Sequence, residues 1–336
     1  MVKHEEWVLG LDGTPFYTCT WSPENDPLAY VLFVHGYAEH IARYDKFFEG
    51  LSSAPYNLHI TAYDQRGHGR TAYAPLTASS PEVESWKKQG KHVKLALNTQ
   101  RKTGGWPKVL PDMEWFVKHE AEQAKAVGKR LFLWGHSMGG GQVLGFLTRS
   151  TPPPAKATLD LLSGVIVSSP EIILTERAPA WKMLPGTLAT KIGLGDVVIP
   201  SPPLMDKLSH DPAVAEACNN DPWCEQKGSL KLLADLVNRG EELLHPNVIA
   251  QWPKTMPLLM YHGGDDPVCL PGASQEFHDK LSATDKTIRL FPGMRHELHH
   301  EYEPTPSEVQ KLVAEWITAR ATTAPELAET VAHPKL

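Results

Sequence analysis

Short apolar runs alternate along this chain with longer segments of helical spacing. Most of the runs end at Gly or Pro, and they are near-continuously apolar rather than alternating. Together these features point to an open, mostly parallel, doubly wound α/β sheet, buried on both faces and interrupted by an inserted cap subdomain. The runs expected as strands are Tyr30–His35, His59–Tyr63, Leu131–Trp134, Gly164–Ser168, Pro257–His262 and Thr287–Phe291. Between them, Met113–Val127, Met138–Ser150, Gln275–Leu281 and Ser307–Arg320 carry helical periodicity. Ahead of the first parallel strand, Glu6–Ser22 holds Leu11-Asp12-Gly13-Thr14 between two apolar stretches. Asp-Gly in that setting is a hairpin turn, so an antiparallel edge pair is expected there.

Two segments break the rhythm. Thr71–Val109 is polar and is expected to hold a helix flanked by loops. Glu171–Pro253 is proline-rich and too long for a simple connection, so it is expected to form a subdomain of its own. The resulting division is a first core part at 1–170, a cap at 171–253, a second core part at 254–321 and a loose tail at 322–336. No repeat with a fixed period is present.

Composition narrows the function. The 336 residues carry 33 Lys+Arg against 39 Asp+Glu, a net charge of −6. That sign argues against nucleic acid as a partner, because phosphate binding requires a basic surface. No run approaches the ~18 apolar residues needed to span a bilayer. The first residues, Met-Val-Lys-His-Glu-Glu, lack the apolar region of a secretory leader. Cys19, Cys218, Cys224 and Cys269 form no CxxC pair, so free thiols in a reducing compartment are expected rather than a disulfide framework. A cytoplasmic location follows as the expectation. The terminal Pro334-Lys335-Leu336 differs from a Ser-Lys-Leu peroxisomal address at its first position and is a weak signal only.

The strongest chemical signal is Gly135-His136-Ser137-Met138-Gly139, a G-x-S-x-G motif set between an apolar strand and a helical stretch. A serine on a tight strand-to-helix turn has strained backbone angles, and small residues two positions to either side allow the close approach. The following helix aims its free N–H groups at the site and favours developing negative charge. Ser137 is therefore the candidate nucleophile. It needs a base, and the base needs an orienting acid. In a fold of this kind the acid and then the histidine follow the serine, each just past a later strand. Asp265-Asp266 follows Pro257–His262, and His296 follows Thr287–Phe291. The oxyanion-binding amides are expected from Met138, after the nucleophile, and Tyr37, after the strand ending at His35-Gly36. Asp64-Gln65-Arg66-Gly67-His68-Gly69 reads as a structural turn.

His296-Glu297-Leu298-His299-His300 also matches the H-E-x-x-H zinc signature. That motif belongs inside a helix, whereas this one follows a strand and a Pro-Gly turn. The extended zinc pattern would also need Gly and His where the chain has Glu303 and Pro306. No metal ligand set is assigned, and the serine chemistry needs no cofactor.

His35-Gly36-Tyr37-Ala38-Glu39-His40 with Arg43-Tyr44, Asp64 to Gly69, Gly135 to Gly140, Asn220-Asp221-Pro222, His262-Gly263 with Asp266, and Pro292-Gly293 with His296 and Leu298-His299 resemble the monoacylglycerol lipase family of the α/β-hydrolase superfamily. The resemblance runs from about Val31 to Trp316, and is poor over Ala72–Asp112 and most of the insert. It selects Asp266 over Asp265 as the acid. It implies an α/β-hydrolase fold and a serine hydrolase that cleaves a lipid ester, monoacylglycerol first, through an acyl-enzyme on Ser137. It further implies that Glu39, Arg43 and His299 bind the glycerol end, that Cys269 lies near the acid, and that the insert is a lid. Tyr37 departs from the small residue often found after His-Gly in that family. The lid carries Ile172, Ile173, Leu174, Trp181, Met183, Leu184, Leu188, Ile192 and Leu194, which suits an acyl chain and peripheral contact with a membrane or lipid droplet. The alternatives are a lysophospholipase or a short- to medium-chain carboxylesterase, and, outside enzymes, a binding protein on the same scaffold. Proteins of the last kind usually lose a catalytic residue, and none is missing here.

Overall fold

The computed structural model describes residues 1–176, 190–202 and 204–322. Eight strands form the main sheet: β1 Val2–Leu9, β2 Pro15–Ser22, β3 Ala29–Val34, β4 Leu58–Tyr63, β5 Leu131–His136, β6 Leu162–Ser168, β9 Leu258–Gly263 and β10 Lys286–Phe291. A separate two-stranded antiparallel sheet pairs β7 Val198–Pro200 with β8 Lys227–Ser229. The main order is β1-β2-β4-β3-β5-β6-β9-β10. The six strands from β4 to β10 are parallel, and β1 and β2 add the antiparallel edge. This is the α/β-hydrolase arrangement that the sequence leads one to expect.

Period-two alternation sorts the strands onto two cores. Leu32, Val34, Leu131 and Leu133 face one apolar cluster, and Val31, Phe33, Phe132 and Trp134 face the other. All six residues of β5 are buried, so the strand that delivers Ser137 is fixed from both sides. The helices Trp106–Ala126 and Met138–Leu147 cover the first face, while Asp45–Ser52 and Thr305–Ala321 cover the second.

Element ends differ from the sequence reading in understandable ways. The helix expected at Met113 starts at Trp106, because Pro107 is well placed in a first turn, and it accepts Pro111 as well. The nucleophile helix ends at Leu147 rather than Ser150. The edge hairpin begins at Val2, where paired backbone outweighs a polar, exposed side-chain pattern. Within the polar Thr71–Val109 stretch the structure forms the helix Pro81–Lys88.

Between β6 and β9 lie the β7–β8 ribbon and the helices Pro212–Asn220 and Leu230–Glu242. Asp211 and Ser229 cap these helices with side-chain oxygens that accept from Ala213 N and Leu232 N. Trp181, Met183, Leu184 and Leu188 of the expected lid, and the tail from residue 323, lie outside the described residues.

Because β5 is packed from both faces, Leu133→Ala leaves a cavity that neighbouring elements cannot fill. A loss of about 2–5 kcal/mol is expected in urea unfolding. A loss under about 0.5 kcal/mol, the range of surface positions, would contradict the two-faced burial.

Candidate active site

The turn at the end of β5 is as tight as the motif demands. Ser137 has φ 52° and ψ −121°, a region that costs a non-glycine residue about 1–3 kcal/mol. A Cβ at Gly135 would lie 2.4 Å from Gly139 O, and one at Gly139 would lie 2.2 Å from Val34 O. Neither position can carry a side chain without backbone movement. The strained residue is held by hydrogen bonds. Ser137 N donates to Ser168 O at 2.9 Å, and Glu171 N and Gly141 N donate to Ser137 O at 2.9 and 3.0 Å.

Loops after two other strands converge on this hydroxyl. His296 Nε2 lies 2.8 Å from Ser137 Oγ, and His296 Nδ1 lies 2.7 Å from Asp266 Oδ2. Asp266 Oδ1 accepts the amides of Val268 and Cys269 at 2.7 and 3.0 Å. Asp265 is exposed, so the geometry brings Asp266 and not its neighbour to the histidine. Burial alone would raise the Asp266 pKa, but the imidazoles of His296 and His262 and their hydrogen bonds hold it well below the carboxylate range. Burial also opposes charge on His296. Asp266, Glu297 and Glu39 outweigh it and raise the histidine pKa above its ordinary value.

Tyr37 and Met138 both line the cavity at the serine. Their amides donate to no acceptor among the described residues. The Tyr37 hydroxyl donates to Ser201 Oγ at 2.9 Å, in the segment between β6 and β9. Asp64 accepts from Ile41 N at 2.9 Å and Arg70 N at 2.7 Å, so its turn anchors the Tyr37 loop.

Glu39 and Arg43 stand in a buried ionic cluster on the cavity wall. Glu39 accepts from Gly36 N, from Tyr44 OH at 2.8 Å and from Arg43 Nη1 at 3.0 Å. Arg43 also forks onto both oxygens of Glu297 at 2.7 Å. Burial raises the Glu39 pKa against the pull of Arg43, while Arg43 and His300 hold Glu297 well below the usual range. His299 was expected with Glu39 and Arg43 at the glycerol end. It is absent from the cavity wall and is stacked on Tyr44, with ring centroids 4.6 Å apart. It sits in the short 3-10 turn Leu298–His300. The same turn removes the helical frame a zinc motif requires. His136, Glu297 and His299 do offer atoms within 4.8 Å of one another, but Arg43 already occupies both Glu297 oxygens.

Two important residues lie outside the sequence assignments. Glu297 balances Arg43, and His262 reaches Asp266 from behind at 2.8 Å. The sequence treats the first only as part of a zinc motif and the second as the end of a strand and one of the residues that carry the resemblance. Pairing across 254 residues has no local signal.

The serine opens onto a cavity of about 870 Å³. Leu174, Ile199, Met205, Leu233, Leu236 and Val268 supply apolar wall, Glu39, Arg43 and Glu297 form an ionic group on it, and Glu171, Glu176, Lys207 and Glu241 line it as well. Cys269 lies on the wall beside Ser137, and its burial pushes the thiol pKa well up, so it stays protonated.

A nucleophile elbow, an imidazole and a buried carboxylate on this sheet define a serine hydrolase of the α/β-hydrolase fold. A family model described as serine aminopeptidase, S33 matches residues 25–303. A putative monoglyceride lipase of Schizosaccharomyces pombe is 32% identical over 95% of this chain and 76% of its own length. The human monoglyceride lipase is 25% identical over 94% of this chain and 91% of its own. The solved structure of a soluble variant of Saccharomyces cerevisiae monoglyceride lipase with a substrate analogue superimposes with TM-score 0.79 and 25% identity, covering 96% of this chain and 97% of that one. The chain belongs to the serine aminopeptidase S33 family, in its monoacylglycerol lipase branch, and is a serine ester hydrolase.

His296 can act as a base only when neutral, and its pKa is raised. Log kcat/KM on a soluble aryl ester is therefore expected to fall with falling pH, with a midpoint above the ordinary histidine value of 6.5. A midpoint below that value would show that the surrounding carboxylates do not govern the base.

Proposed function

We propose that this enzyme hydrolyses monoacylglycerol to fatty acid and glycerol through an acyl-enzyme on Ser137. The observation that carries the reading is the Ser137–His296–Asp266 hydrogen-bonded chain, set where one cavity has an apolar wall and a buried ionic end. His296 Nε2 takes the Ser137 proton as Oγ attacks the ester carbonyl. Asp266 holds the imidazole by Nδ1–H and stabilises its charged form. The Tyr37 and Met138 amides, free of other acceptors, bind the tetrahedral oxyanion. His296 then gives its proton to the leaving glycerol oxygen. Water attacks the acyl-enzyme by the same route, and the acid leaves.

Polarity sets the direction of binding. Each acyl CH₂ placed against the cap wall contributes about 0.8 kcal/mol. Glycerol hydroxyls need partners and meet them at Glu39 and Arg43. Glu39 Oε2 accepts only from Arg43 among the described residues, which leaves it acceptor capacity for a hydroxyl. A lysophospholipid keeps only one glycerol hydroxyl and brings an anionic phosphate toward Glu39 and Glu297, so monoacylglycerol is favoured over it.

No described helix is long and apolar enough to cross a membrane. Ile192, Leu194, Val197 and Ile199 on the cap are nonetheless 70%, 47%, 45% and 39% exposed. We propose that this patch seats the enzyme on a lipid surface, from which a poorly soluble substrate enters. Soluble protein in the cytoplasm that docks reversibly fits this arrangement.

Ser137→Ala is expected to reduce monoacylglycerol hydrolysis by at least about a thousandfold, and retained activity would refute the acyl-enzyme. Glu39→Gln is expected to lose more rate on monoacylglycerol than on an aryl ester, and equal losses would leave Glu39 a structural role alone. For the cap, the double variant Ile192→Glu, Leu194→Glu should sediment less with phospholipid vesicles while keeping aryl esterase activity. Unchanged sedimentation would exclude the patch as the docking face.

A further inference from the structure

The buried hydrogen-bonded chain continues past Asp266. His262, on β9, is fully buried, and its Nε2 lies 2.8 Å from Asp266 Oδ2. His296 Nδ1 approaches that same oxygen at 2.7 Å. The Nε2 of His262 also faces the carbonyl oxygen of Cys269 at 3.2 Å. A carboxylate and a carbonyl can only accept, so this nitrogen carries a proton. On the far side, Nδ1 lies 2.8 Å from Ser274 Oγ, on the helix Pro271–Lys280. That hydroxyl can turn to donate to the ring, which completes the neutral tautomer. Asp266 thus receives two imidazole N–H groups on Oδ2 and two amides on Oδ1. The carboxylate is fully coordinated without solvent, and only one of its four donors moves a proton in the reaction.

The two histidines take the two lone pairs of one oxygen. A carboxylate oxygen that serves two donors offers less charge to each. Removing the rear donor therefore concentrates the charge on the front one. His296 has other charged or titratable neighbours: Glu297, Glu39, and the ring of His136 at 5.0 Å. Asp266 is also near the Cys269 thiol and His136. None of these shares the Oδ2 atom, so His262 is the group that can tune the acid directly.

We propose that His262 is a positioning residue that locks the Asp266 carboxylate and moderates its charge, so that His296 is oriented yet stays neutral enough to act as a base. This deepens the proposed hydrolase reading and rests on it. The turn geometry supports the role. A Cβ at Gly263, next to His262, would lie 2.0 Å from Arg295 O, so the loops bearing Asp266 and His296 touch at backbone level. A small rotation of Asp266 is therefore passed straight to His296.

The test is a pH profile of kcat/KM on a soluble aryl ester for the wild type, His262→Gln and His262→Leu, with Ser137→Ala as control. His262→Leu is expected to lower kcat about ten- to a hundredfold, the scale for losing an outer partner of a ligating group, with KM little changed. Its acid limb moves to higher pH, because Asp266 then stabilises the His296 cation more strongly. His262→Gln, whose amide can donate to Oδ2, restores most of the rate and the wild-type limb. A limb that stays in place in His262→Leu, with rate and Tm falling together, would overturn the proposal. Should His262→Leu fail to fold, ¹⁵N-histidine NMR of the wild type decides: His262 Nε2 must show an N–H shift and Nδ1 an acceptor shift, and the reverse would overturn it. Activity surviving in Ser137→Ala would instead strike the acyl-enzyme reading, which keeps the two failures separate.

Discussion

The molecule is organised around a backbone turn with no room for side chains. Ser137 occupies a positive-φ conformation, and a Cβ on either flanking glycine would fall 2.2–2.4 Å from a backbone carbonyl oxygen. Such a turn is stable only if the strand before it and the helix after it are both immobile. That requirement accounts for a β5 buried along its whole length and for the helix Met138–Leu147, buried at every position. The strain is local, but holding it takes both hydrophobic cores.

Once the hydroxyl is fixed, the electrostatic problem is how to keep charge in a dry site. Two solutions appear side by side. Asp266 is solvated by protein donors alone, and its low pKa shows that they outweigh desolvation. Glu297 is neutralised by the Arg43 fork, and Glu39 shares the same guanidinium. Both clusters bias His296 toward its charged form. That bias suits the transition state, in which the imidazole carries the proton, while it narrows the pH range in which the free base exists.

Most of the fold was legible because buried parallel strands leave unbroken apolar runs, and β3, β5, β6 and β9 each do so. Boundaries shifted where local chemistry overrode pattern, as at Trp106-Pro107. For the site, Ser137, the Asp265-Asp266 pair and His296 could be read because each follows a strand end in a fixed order, and the family resemblance picked Asp266 from the pair. The structure places Ser137, His296 and Asp266 within hydrogen-bonding distance in that order. Glu297 and His262 escaped because their roles depend on partners that only the tertiary fold supplies. The placement of His299 against Tyr44 was hidden for the complementary reason. Its neighbour in sequence, Leu298, is fully buried, and the one-turn 3-10 geometry that buries it sends the histidine ring against Tyr44. A residue spacing carries no information about which side of such a turn faces the substrate.

The segment between β6 and β9, proposed as a cap, is joined to the catalytic loops by polar contacts as well as by packing. Tyr37 bonds Ser201, and His40 Nε2 lies 2.7 Å from Asp221 Oδ2. Glu297 N donates to Leu208 O at 2.8 Å, and Arg101 donates to Trp223 O at 2.6 Å. Tyr37, whose amide faces the proposed oxyanion, and Glu297, which fixes Arg43, are therefore each one bond from the cap. Lifting the cap as a rigid body would loosen both the oxyanion loop and the polar end of the cavity. Access for an acyl chain is then more economically gained by movement within the apolar wall than by displacement of the whole insert. In the proposed binding mode the glycerol end is held by Glu39 and Arg43 on loops that stay in place, so the ester is brought to Ser137 while the acyl chain seats against Leu174, Leu236 and Val268.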